Sequence, residues 1–282
     1  MSKESSIFYH PDYLKIQDHK NLKVFENENF QLIFSITNEL AVSLPQGLFG
    51  GVVKRQRAID FHSFEVFWTH VHDELAKEGV TRAELIQPPD IYQGFVQSQW
   101  LMEVGFSPMY EDITHHIKLR EFALHKMEEK KLAKLKASGF LAKQLDTEEL
   151  KKTYDFLESC REEKGLKLNV PFDRLEALFN AFPDHYDIFM GYLNQKAACA
   201  VITLKVAPKI VYYFLPGTIK EAKSESPMVG LLDFMVEHYS KTYQYIDLGV
   251  SSIEGEPQVG LIAFKERMGG MPGMKRRFFI KV

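Results

Sequence analysis

The fold is decided by two stretches of the sequence, Tyr243-Gln-Tyr-Ile-Asp-Leu-Gly-Val-Ser251 and Gly260-Leu-Ile-Ala-Phe-Lys-Glu-Arg-Met-Gly-Gly270. Residues 243–248 carry aromatic and aliphatic side chains and are followed by Gly249, which predicts a strand. Residues 259–268 predict a short helix, because Gly269-Gly270 is a helix stop signal. Residues 274–282 include the apolar run Phe278-Phe-Ile280 and predict another strand.

The same order of elements occurs earlier in the sequence. Apolar residues at helical spacing predict a helix from Phe61 to Leu75, and a strand is predicted over residues 80–86. A second helix is predicted over residues 91–104 and a second strand over residues 113–119. The spacing also agrees, since Leu85 to Gly105 is 20 residues and Leu248 to Gly269 is 21. The repeated order indicates a tandem duplication of one α/β unit.

Further elements precede each copy. In the second half we predict, in order, a strand over 140–145, helices over 146–163 and 172–182, strands over 186–193, 197–206 and 210–215, and a helix over 226–239. In the first half we predict strands over 22–25, 30–37 and 40–44. The Lys- and Glu-rich stretch 120–138 predicts a connecting helix. The expected domains are therefore residues 1–120 and 139–282, joined by a helix over 121–138.

The composition is that of a globular protein and narrows the functional classes. The 282 residues are 45% hydrophobic and 26% charged, which excludes disordered and fibrous classes, and the net charge of −3 argues against DNA as a partner. The two cysteines exclude a disulfide scaffold, and with His70 and His72 they supply no plausible metal set. We find no secretory signal and no apolar run long enough to span a membrane, so we expect a cytoplasmic protein.

The element order resembles the GNAT acyltransferase fold, present twice. Three stretches resemble the FemAB-like branch of tandem-GNAT enzymes, which extend peptidoglycan precursors: residues 43–51, residues 226–232, and residues 247–251 with 260–270. The pattern Gly-Leu-x-x-Phe-Lys-x-x-x-Gly in the last of these is similar to the family's most recognisable signature. The resemblance implies an α/β (α+β) fold with two tandem GNAT-like domains, each a mixed, mostly antiparallel sheet flanked by helices.

The resemblance also implies an activity. We expect an N-acyltransferase that moves an acyl or aminoacyl group to an amino group of a cell-envelope or saccharide precursor. No tightly bound cofactor is expected, and the donor is either an acyl-CoA or an aminoacyl-tRNA. Two alternatives stay open, namely an acetyl-CoA-dependent GNAT N-acetyltransferase acting on a small amine or protein, and a binding protein without catalysis. The oligomeric state is not determined by the sequence.

Three residues are candidates for catalysis. By resemblance, the Phe-Lys pair places Phe264 and Lys265 near the donor. The ammonium of Lys265 can stabilise a tetrahedral oxyanion or a donor phosphate, although an exposed helix lysine is the simpler interpretation. Asp247 can act as a general base for the incoming amine, or it can cap the turn that follows it. Ser251 shows no histidine partner in the sequence that would make it a nucleophile.

A cluster of basic residues suggests where a donor phosphate binds. Six basic residues and one acidic residue lie between positions 265 and 282, a net charge of +5, which suits a polyphosphate or a charge-protected edge strand. The cofactor-binding candidates from this cluster are Arg267, Lys275 and Arg276. Ser226 and Met228 join them because Ser226-Pro227 begins a helix whose free N–H groups can bind phosphate, or which is simply well capped.

The acceptor is expected to bind in the first domain. The loop 46–51 is rich in glycine and leads into a basic segment, which suits an anionic acceptor such as a nucleotide-linked sugar. The predicted acceptor-binding residues are Gly47, Phe49, Gly50, Gly51, Lys54 and Arg55. The alternative is a glycine turn between strands with an exposed basic end.

Overall fold

The computed structural model describes residues 6–17, 21–45 and 47–282, so Gln46 of the predicted acceptor loop lies outside the described residues. The α-helices are α1 (Pro11–Ile16), α2 (Phe61–Lys77), α3 (Ser98–Glu103), α4 (Lys126–Ala137), α5 (Leu150–Glu162), α6 (Phe172–Ala181), α7 (Pro227–Tyr239) and α8 (Val259–Arg267). The strands are β1 (Leu22–Glu26), β2 (Phe30–Thr37), β3 (Leu40–Ser43), β4 (Val53–Lys54), β5 (Arg82–Ile86), β6 (Ser107–Lys118), β7 (Leu141–Leu145), β8 (Tyr186–Leu193), β9 (Lys196–Ala207), β10 (Ile210–Thr218), β11 (Tyr245–Val250), β12 (Ser252–Ile253), β13 (Glu256–Pro257) and β14 (Met271–Lys281).

The chain divides into two units, whose bounds differ from the predicted domains. Unit 1 consists of Met1–Thr114, Ser252–Pro257 and Gly273–Val282, and unit 2 consists of His115–Ser251 and Gln258–Pro272. The last segment belongs to unit 1 because β14 pairs antiparallel with β5, with Phe278 opposite Leu85. The predicted boundary follows sequence order and therefore assigns residues 273–282 to the second domain, whereas they belong to unit 1.

Unit 1 is a mixed sheet with α2 packed on it. Its strand order is β1-β2-β3-β5-β14-β6, with β4 beside β2. Strands β1 to β3 are antiparallel, and β5 runs parallel to β3 after α2. Asp60 is the N-cap of helix α2, and its carboxylate accepts the Ser63 N–H at 2.8 Å. Its buried side chains follow the predicted helical period: Phe64, Phe67, Trp68, Val71 and Leu75.

Unit 2 has the same sequence of strand directions. Its strand order is β11-β10-β9-β8-β7, antiparallel from β7 to β10, with β11 parallel to β10. Helix α7 connects the two parallel strands and buries most of its residues. In both units, a helix therefore joins two parallel strands that follow antiparallel ones. This agreement supports the predicted duplication, which we keep as a proposal.

Two predicted helices are shorter than expected. Of residues 91–104, only Ser98–Glu103 form a helix. The preceding segment bonds to other strands instead: Val96 N–H donates to Val52 O at 2.9 Å, and Lys54 N–H donates to Gly94 O at 2.7 Å. The connecting helix predicted for 120–138 begins only at Lys126, after an extended residue at His125. Both predictions were too long because apolar spacing does not report where backbone groups find partners outside a helix.

The contact between α4 and α7 requires a glycine. A Cβ atom at position 230 would lie 2.5 Å from Phe140 Cε1 and 2.6 Å from Leu135 Cδ2. We expect Gly230→Ala to lower the free energy of unfolding by about 1–3 kcal/mol, because the added methyl group overpacks the core. The matched control is Gly260→Ala in α8, where no atom lies within 4 Å of the added carbon. Helix propensity alone should stabilise that variant by up to about 1 kcal/mol, and equal unfolding midpoints in denaturant for the two variants would contradict the prediction.

Candidate active site

A cavity of about 590 Å³ opens in unit 2 where two parallel strands diverge. Strands β10 and β11 pair only from Ile210 to Tyr212, opposite Tyr245 to Asp247. Beyond that point β10 changes register against β9, and the ends of both β10 and β11 line the cavity. The first turn of α7 and residues of α8 also line it, together with residues of α4, of the end of α5 and of the segment before α7. Parallel strands that separate in this way leave room for a ligand between their carboxyl ends.

Lys265 is buried in the wall of this cavity, with 6% of its surface exposed. Its Nζ donates to Gly249 O at 2.9 Å and to Val250 O at 2.7 Å. Burial lowers the pKa of Lys265 to about 8, and the charge of Asp247 acts in the opposite direction. An ammonium has three N–H donors, so one remains for a ligand in the cavity. Lys265 is thus a largely desolvated cation fixed by two carbonyls, and the alternative of an exposed helix lysine is wrong for this residue.

Phe264 lies beside Lys265 in the lining, and contact of this pair with a donor stays a prediction. Asp247 lies at the end of the paired part of β11 and is buried. Its Oδ1 accepts the Gly249 N–H at 2.8 Å, which is the capping of the following turn that the sequence predicted as one of two roles for Asp247. That contact holds the turn in which the Gly249 carbonyl accepts a hydrogen bond from Lys265. Asp247 thus positions Lys265 through this turn, and its negative charge favours the protonated form of the lysine.

A second buried contact supports the same segment, and the sequence analysis missed it. His115 Nδ1 and Ser251 Oγ share a hydrogen bond at 2.8 Å, and both residues are fully buried. Burial lowers the pKa of His115, and the charge of Lys265 lowers it further, so the ring is neutral at pH 7. Ser251 directly follows the two carbonyls that hold Lys265. Because its hydroxyl is enclosed, we interpret the pair as positioning the segment, not as a nucleophile.

The start of α7 also faces the cavity. Ser226, Pro227, Met228 and Val229 line it. Ser226 has a left-handed backbone, with φ 55° and ψ 47°, and its side chain makes no capping hydrogen bond. The predicted side-chain cap is therefore wrong, since the left-handed conformation does not direct the hydroxyl to the helix N–H groups. Pro227 has no N–H, and the Val229 N–H donates to the Ser226 carbonyl at 3.0 Å. Among residues 227–229, only Met228 therefore keeps an N–H without a backbone partner in the described part of the chain.

The predicted donor-binding residues do not all lie together. Arg267 lines the cavity and its Nε donates to Glu128 Oε1 at 3.2 Å, whereas Lys275 and Arg276 lie in the part of β14 that belongs to unit 1. There Arg276 Nε donates to Glu111 Oε1 at 2.7 Å. Neither Lys275 nor Arg276 lines the cavity. The +5 cluster of the sequence is therefore divided between two units.

Three cations that the sequence analysis did not single out line the same cavity: Arg161, Lys164 and Lys223. They come from the end of α5 and from a short 3-10 helix, Lys220–Glu225. Because these three residues come from two separate parts of the sequence, no local motif identifies them as a group. Only the pairing of the strands between them brings them together.

The predicted acceptor loop lies in unit 1 and is tightly packed. Phe49 is 1% exposed and packs against Phe8, Tyr92 and Phe95. Gly50 approaches the backbone so closely that a Cβ would lie 2.6 Å from the Ser43 carbonyl. The remaining predicted residues of this group are Gly47, Gly51, Lys54 and Arg55. The Gly51 carbonyl accepts the Tyr9 hydroxyl at 2.6 Å, and Arg55 forms an ion pair with Glu26. Acceptor binding by this loop stays a prediction.

Comparison with known proteins gives matches only at the level of structure. No protein-family model and no curated protein sequence matches the chain. A structure described as FemX has a TM-score of 0.69 and 12% identity, over 99% of this chain and 93% of that chain. L-PGS from Bacillus licheniformis has a TM-score of 0.64 and 12% identity, over 94% and 85%. A tandem GNAT protein from the clavulanic acid biosynthesis pathway has a TM-score of 0.52 and 9% identity, over 90% and 79%.

These likenesses bear on the fold. Among the described residues, no helix is both long and apolar enough to cross a membrane. The mixed α/β architecture, with its mostly antiparallel strands and flanking helices, agrees with the sequence prediction. The chain therefore has the fold of FemX, of L-PGS and of the tandem GNAT protein.

Proposed function

We propose that the protein is an N-acyltransferase of the FemAB-like type. It transfers an acyl or aminoacyl group to an amino group of a cell-envelope or saccharide precursor. The observation that carries the proposal is Lys265, a buried ammonium in the wall of a ligand-sized cavity, which makes two hydrogen bonds to protein groups among the described residues. Burying a cation is unfavourable in free energy, and buried cations are typical of sites that stabilise developing negative charge.

The chemistry needs few protein groups. The acceptor amine attacks the activated carbonyl carbon of the donor, so that a C–N bond forms and the carbonyl oxygen becomes an oxyanion. The third N–H of Lys265 donates to that oxyanion. When the intermediate collapses, the C–S or C–O bond to the donor breaks, and the amine proton leaves to the departing thiolate or alkoxide, directly or through water. No covalent intermediate on the enzyme is required.

The donor is either an acyl-CoA or an aminoacyl-tRNA, and both carry phosphate groups. Ser226 and Met228 lie at the start of α7, where the Met228 N–H can meet such a phosphate, and Arg267, which pairs with Glu128, lines the same cavity. This helix start also favours a second candidate, an acetyl-CoA-dependent N-acetyltransferase acting on a small amine or protein. We propose a cytoplasmic setting, where both kinds of donor are made.

The experiment has a binding arm and a transfer arm. Acetyl-CoA, longer acyl-CoAs and an aminoacylated tRNA are titrated while the thermal midpoint is followed. A ligand at 100 times its dissociation constant adds about 2.7 kcal/mol, which should raise the midpoint by several degrees. Transfer is then followed by mass spectrometry of amine acceptors. Transfer from tRNA supports the first candidate and transfer from acetyl-CoA the second. A protein that binds a donor but never transfers from it would overturn both in favour of a binding protein.

A further inference from the structure

Ser251 connects the carbonyl pair that holds Lys265 to two other parts of unit 2. The carbonyl pair consists of Gly249 O and Val250 O, which accept hydrogen bonds from Lys265 Nζ at 2.9 Å and 2.7 Å. Ser251 is the next residue of the chain, and its own carbonyl accepts the N–H of Gln258, the N-cap of α8, at 2.9 Å. The segment that receives the ammonium is thus fixed to the start of the helix that carries it.

The side chain of Ser251 makes a separate contact with β6. Its Oγ lies 2.8 Å from His115 Nδ1, and both side chains are fully buried. The carbonyl pair has little support from its own side chains, because Gly249 has none and Val250 is 39% exposed. Asp247 holds the turn on its N-terminal side, through the Gly249 N–H. The bond between Ser251 and His115 is the corresponding side-chain contact on the C-terminal side.

The unmet groups around this bond decide which atom donates. His115 Nε2 is buried without a hydrogen-bond partner, and Ser251 Oγ has no other partner among the described residues. A proton on Nδ1 would leave both the serine O–H and the Nε2 lone pair without a partner. A proton on Nε2 lets the serine O–H donate to Nδ1, so that only the Nε2 N–H stays unmet. The count of unmet groups therefore makes Ser251 the donor and neutral His115 the acceptor.

Only a neutral imidazole can accept this hydrogen bond, because both nitrogens of a protonated ring are donors. Burial lowers the pKa of His115 first, and the charge of Lys265 lowers it further. The charge of Glu266 raises this pKa, and the neighbouring His116 lowers it. The ring is therefore neutral at pH 7. A positively charged ring would lose the bond to Ser251 and would repel the ammonium of Lys265.

We propose that His115 and Ser251 are positioning residues for Lys265, because their hydrogen bond keeps both carbonyls of the pair in contact with the ammonium. The action of Lys265 on a donor rests on the proposed function, whereas the effect on Lys265 itself rests on the contacts alone. Burial lowers the pKa of Lys265 to about 8, and the charge of Asp247 opposes that change. A buried ammonium that loses part of its acceptors gives up its proton more readily. Loss of the bond should therefore lower the pKa of Lys265 further.

The test compares four variants. Ser251→Ala removes one oxygen atom, and His115→Phe removes the accepting nitrogen at similar size. His115→Asn is the conservative variant, because its amide oxygen can take the place of Nδ1 as the acceptor. The matched control is Ser252→Ala, which removes the neighbouring buried hydroxyl. That hydroxyl donates to Asp112 Oδ1 at 2.7 Å and accepts the Ile113 N–H at 2.8 Å, so the control loses one more hydrogen bond than Ser251→Ala does.

The readout is the titration of Lys265, followed by NMR on protein that contains carbon-13-labelled lysine. The Cε signal of Lys265 is identified as the one that Lys265→Arg lacks. We expect Ser251→Ala and His115→Phe each to move the midpoint about one pH unit lower, the usual scale for a change in hydrogen bonding. His115→Asn should recover most of this change, and Ser252→Ala should leave the midpoint where it is. The double variant Ser251→Ala/His115→Phe should move it no further than either single variant, since all three remove the same bond.

Turnover supplies a second readout, which depends on the proposed function. If the midpoint falls by about one pH unit, about fivefold fewer molecules carry the ammonium at pH 8. Turnover at that pH should fall by the same factor in Ser251→Ala, while KM stays unchanged because Ser251 does not line the cavity. His115→Asn should keep most of the wild-type rate.

A midpoint that stays at the wild-type pH in folded Ser251→Ala overturns the proposal, and so does an equal fall in Ser252→Ala. Thermal denaturation shows which variants fold, and Ser251→Ala is decisive if His115→Phe does not fold. If transfer is found and depends on Lys265, but neither the midpoint nor turnover changes in Ser251→Ala, the positioning role fails while the proposed function stands. If the midpoint falls as expected and no transfer is ever found, the positioning role stands without the function.

Discussion

Lys265→Ala is expected to lower turnover by about 100- to 1,000-fold, the usual effect of losing one donor to an oxyanion. The ammonium is held by the Gly249 and Val250 carbonyls, so its position is fixed before substrate arrives. Such a donor needs no reorganisation during the reaction, and little water competes with it in a buried site. The measurement is single-turnover transfer with saturating donor, which separates the chemical step from binding.

The matched control is Lys241→Ala, which removes an exposed lysine that does not line the cavity. It should leave turnover unchanged. Thermal denaturation of Lys265→Ala should show a folded protein, because a buried charge is removed together with its desolvation cost. Wild-type turnover in a folded Lys265→Ala protein would refute the role of this residue in the chemical step.

The same residue predicts a pH dependence. Because the pKa of Lys265 is about 8, the side chain is charged at pH 7 and loses its charge as the pH rises through that value. The rate of the chemical step should therefore fall above about pH 8, even though a more basic solution favours the free amine of the acceptor. In Lys265→Arg, any remaining activity should lack this fall, since a guanidinium stays charged. A general-base role for Lys265 predicts the reverse slope.

Asp187→Ala is expected to lower the free energy of unfolding by about 3–5 kcal/mol, as is typical when one partner is removed from a buried ion pair. The carboxylate accepts three hydrogen bonds: from Lys205 Nζ at 2.9 Å, from Gln144 Nε2 at 3.1 Å and from the Tyr239 hydroxyl at 2.6 Å. Burial, and then the Asp187 charge, raise the pKa of Tyr239 far above its ordinary value, so that its hydroxyl remains a donor. Removing Asp187 takes this acceptor from the donors on β7, β9 and α7, and of the three only the Tyr239 hydroxyl keeps a further partner, Thr203, among the described residues.

Chemical denaturation measures the loss. The control is Asp155→Ala in α5, whose carboxylate pairs with the exposed Lys151 and should contribute no more than about 1 kcal/mol. A double variant, Asp187→Ala with Lys205→Met, should recover part of the stability because it also removes the unpaired cation. Equal stability of Asp187→Ala and Asp155→Ala would show that the network contributes little.

Local patterns were enough for most of the fold. The period of Phe64, Phe67 and Trp68 predicts α2, because one apolar face must meet the sheet. Strands β8 to β10 follow from apolar runs separated by turns, and Asn194 and Gln195 adopt the positive φ angles that such a tight turn needs. The predictions that failed concern segments whose conformation depends on partners far away in the sequence. Residues 91–97 have helical spacing, but their backbone is bonded to other parts of unit 1.

The site could be predicted only where its residues are close in sequence. Phe264 and Lys265 carry a recognisable pattern, and the structure places both in the cavity. His115 could not be connected with Ser251, because that contact spans 136 positions. The opposite error occurs in β14, where the basic run looks continuous. Arg277 there pairs with Glu84 at 2.6 Å, so its charge is already neutralised inside unit 1.

The membership of residues 273–282 in unit 1 has a consequence for biosynthesis. Arg277 and Glu84, which form an ion pair on neighbouring strands, are 193 positions apart. A ribosome that has just translated residue 272 carries every residue of unit 2, while β5 still lacks its neighbour β14. Until β14 has been synthesised, the backbone N–H and C=O groups of β5 form an open edge that can pair with other nascent chains. Polysomes crowded with this messenger therefore favour misassembly of the protein, and slow decoding of the codons for β14 would prolong that exposure.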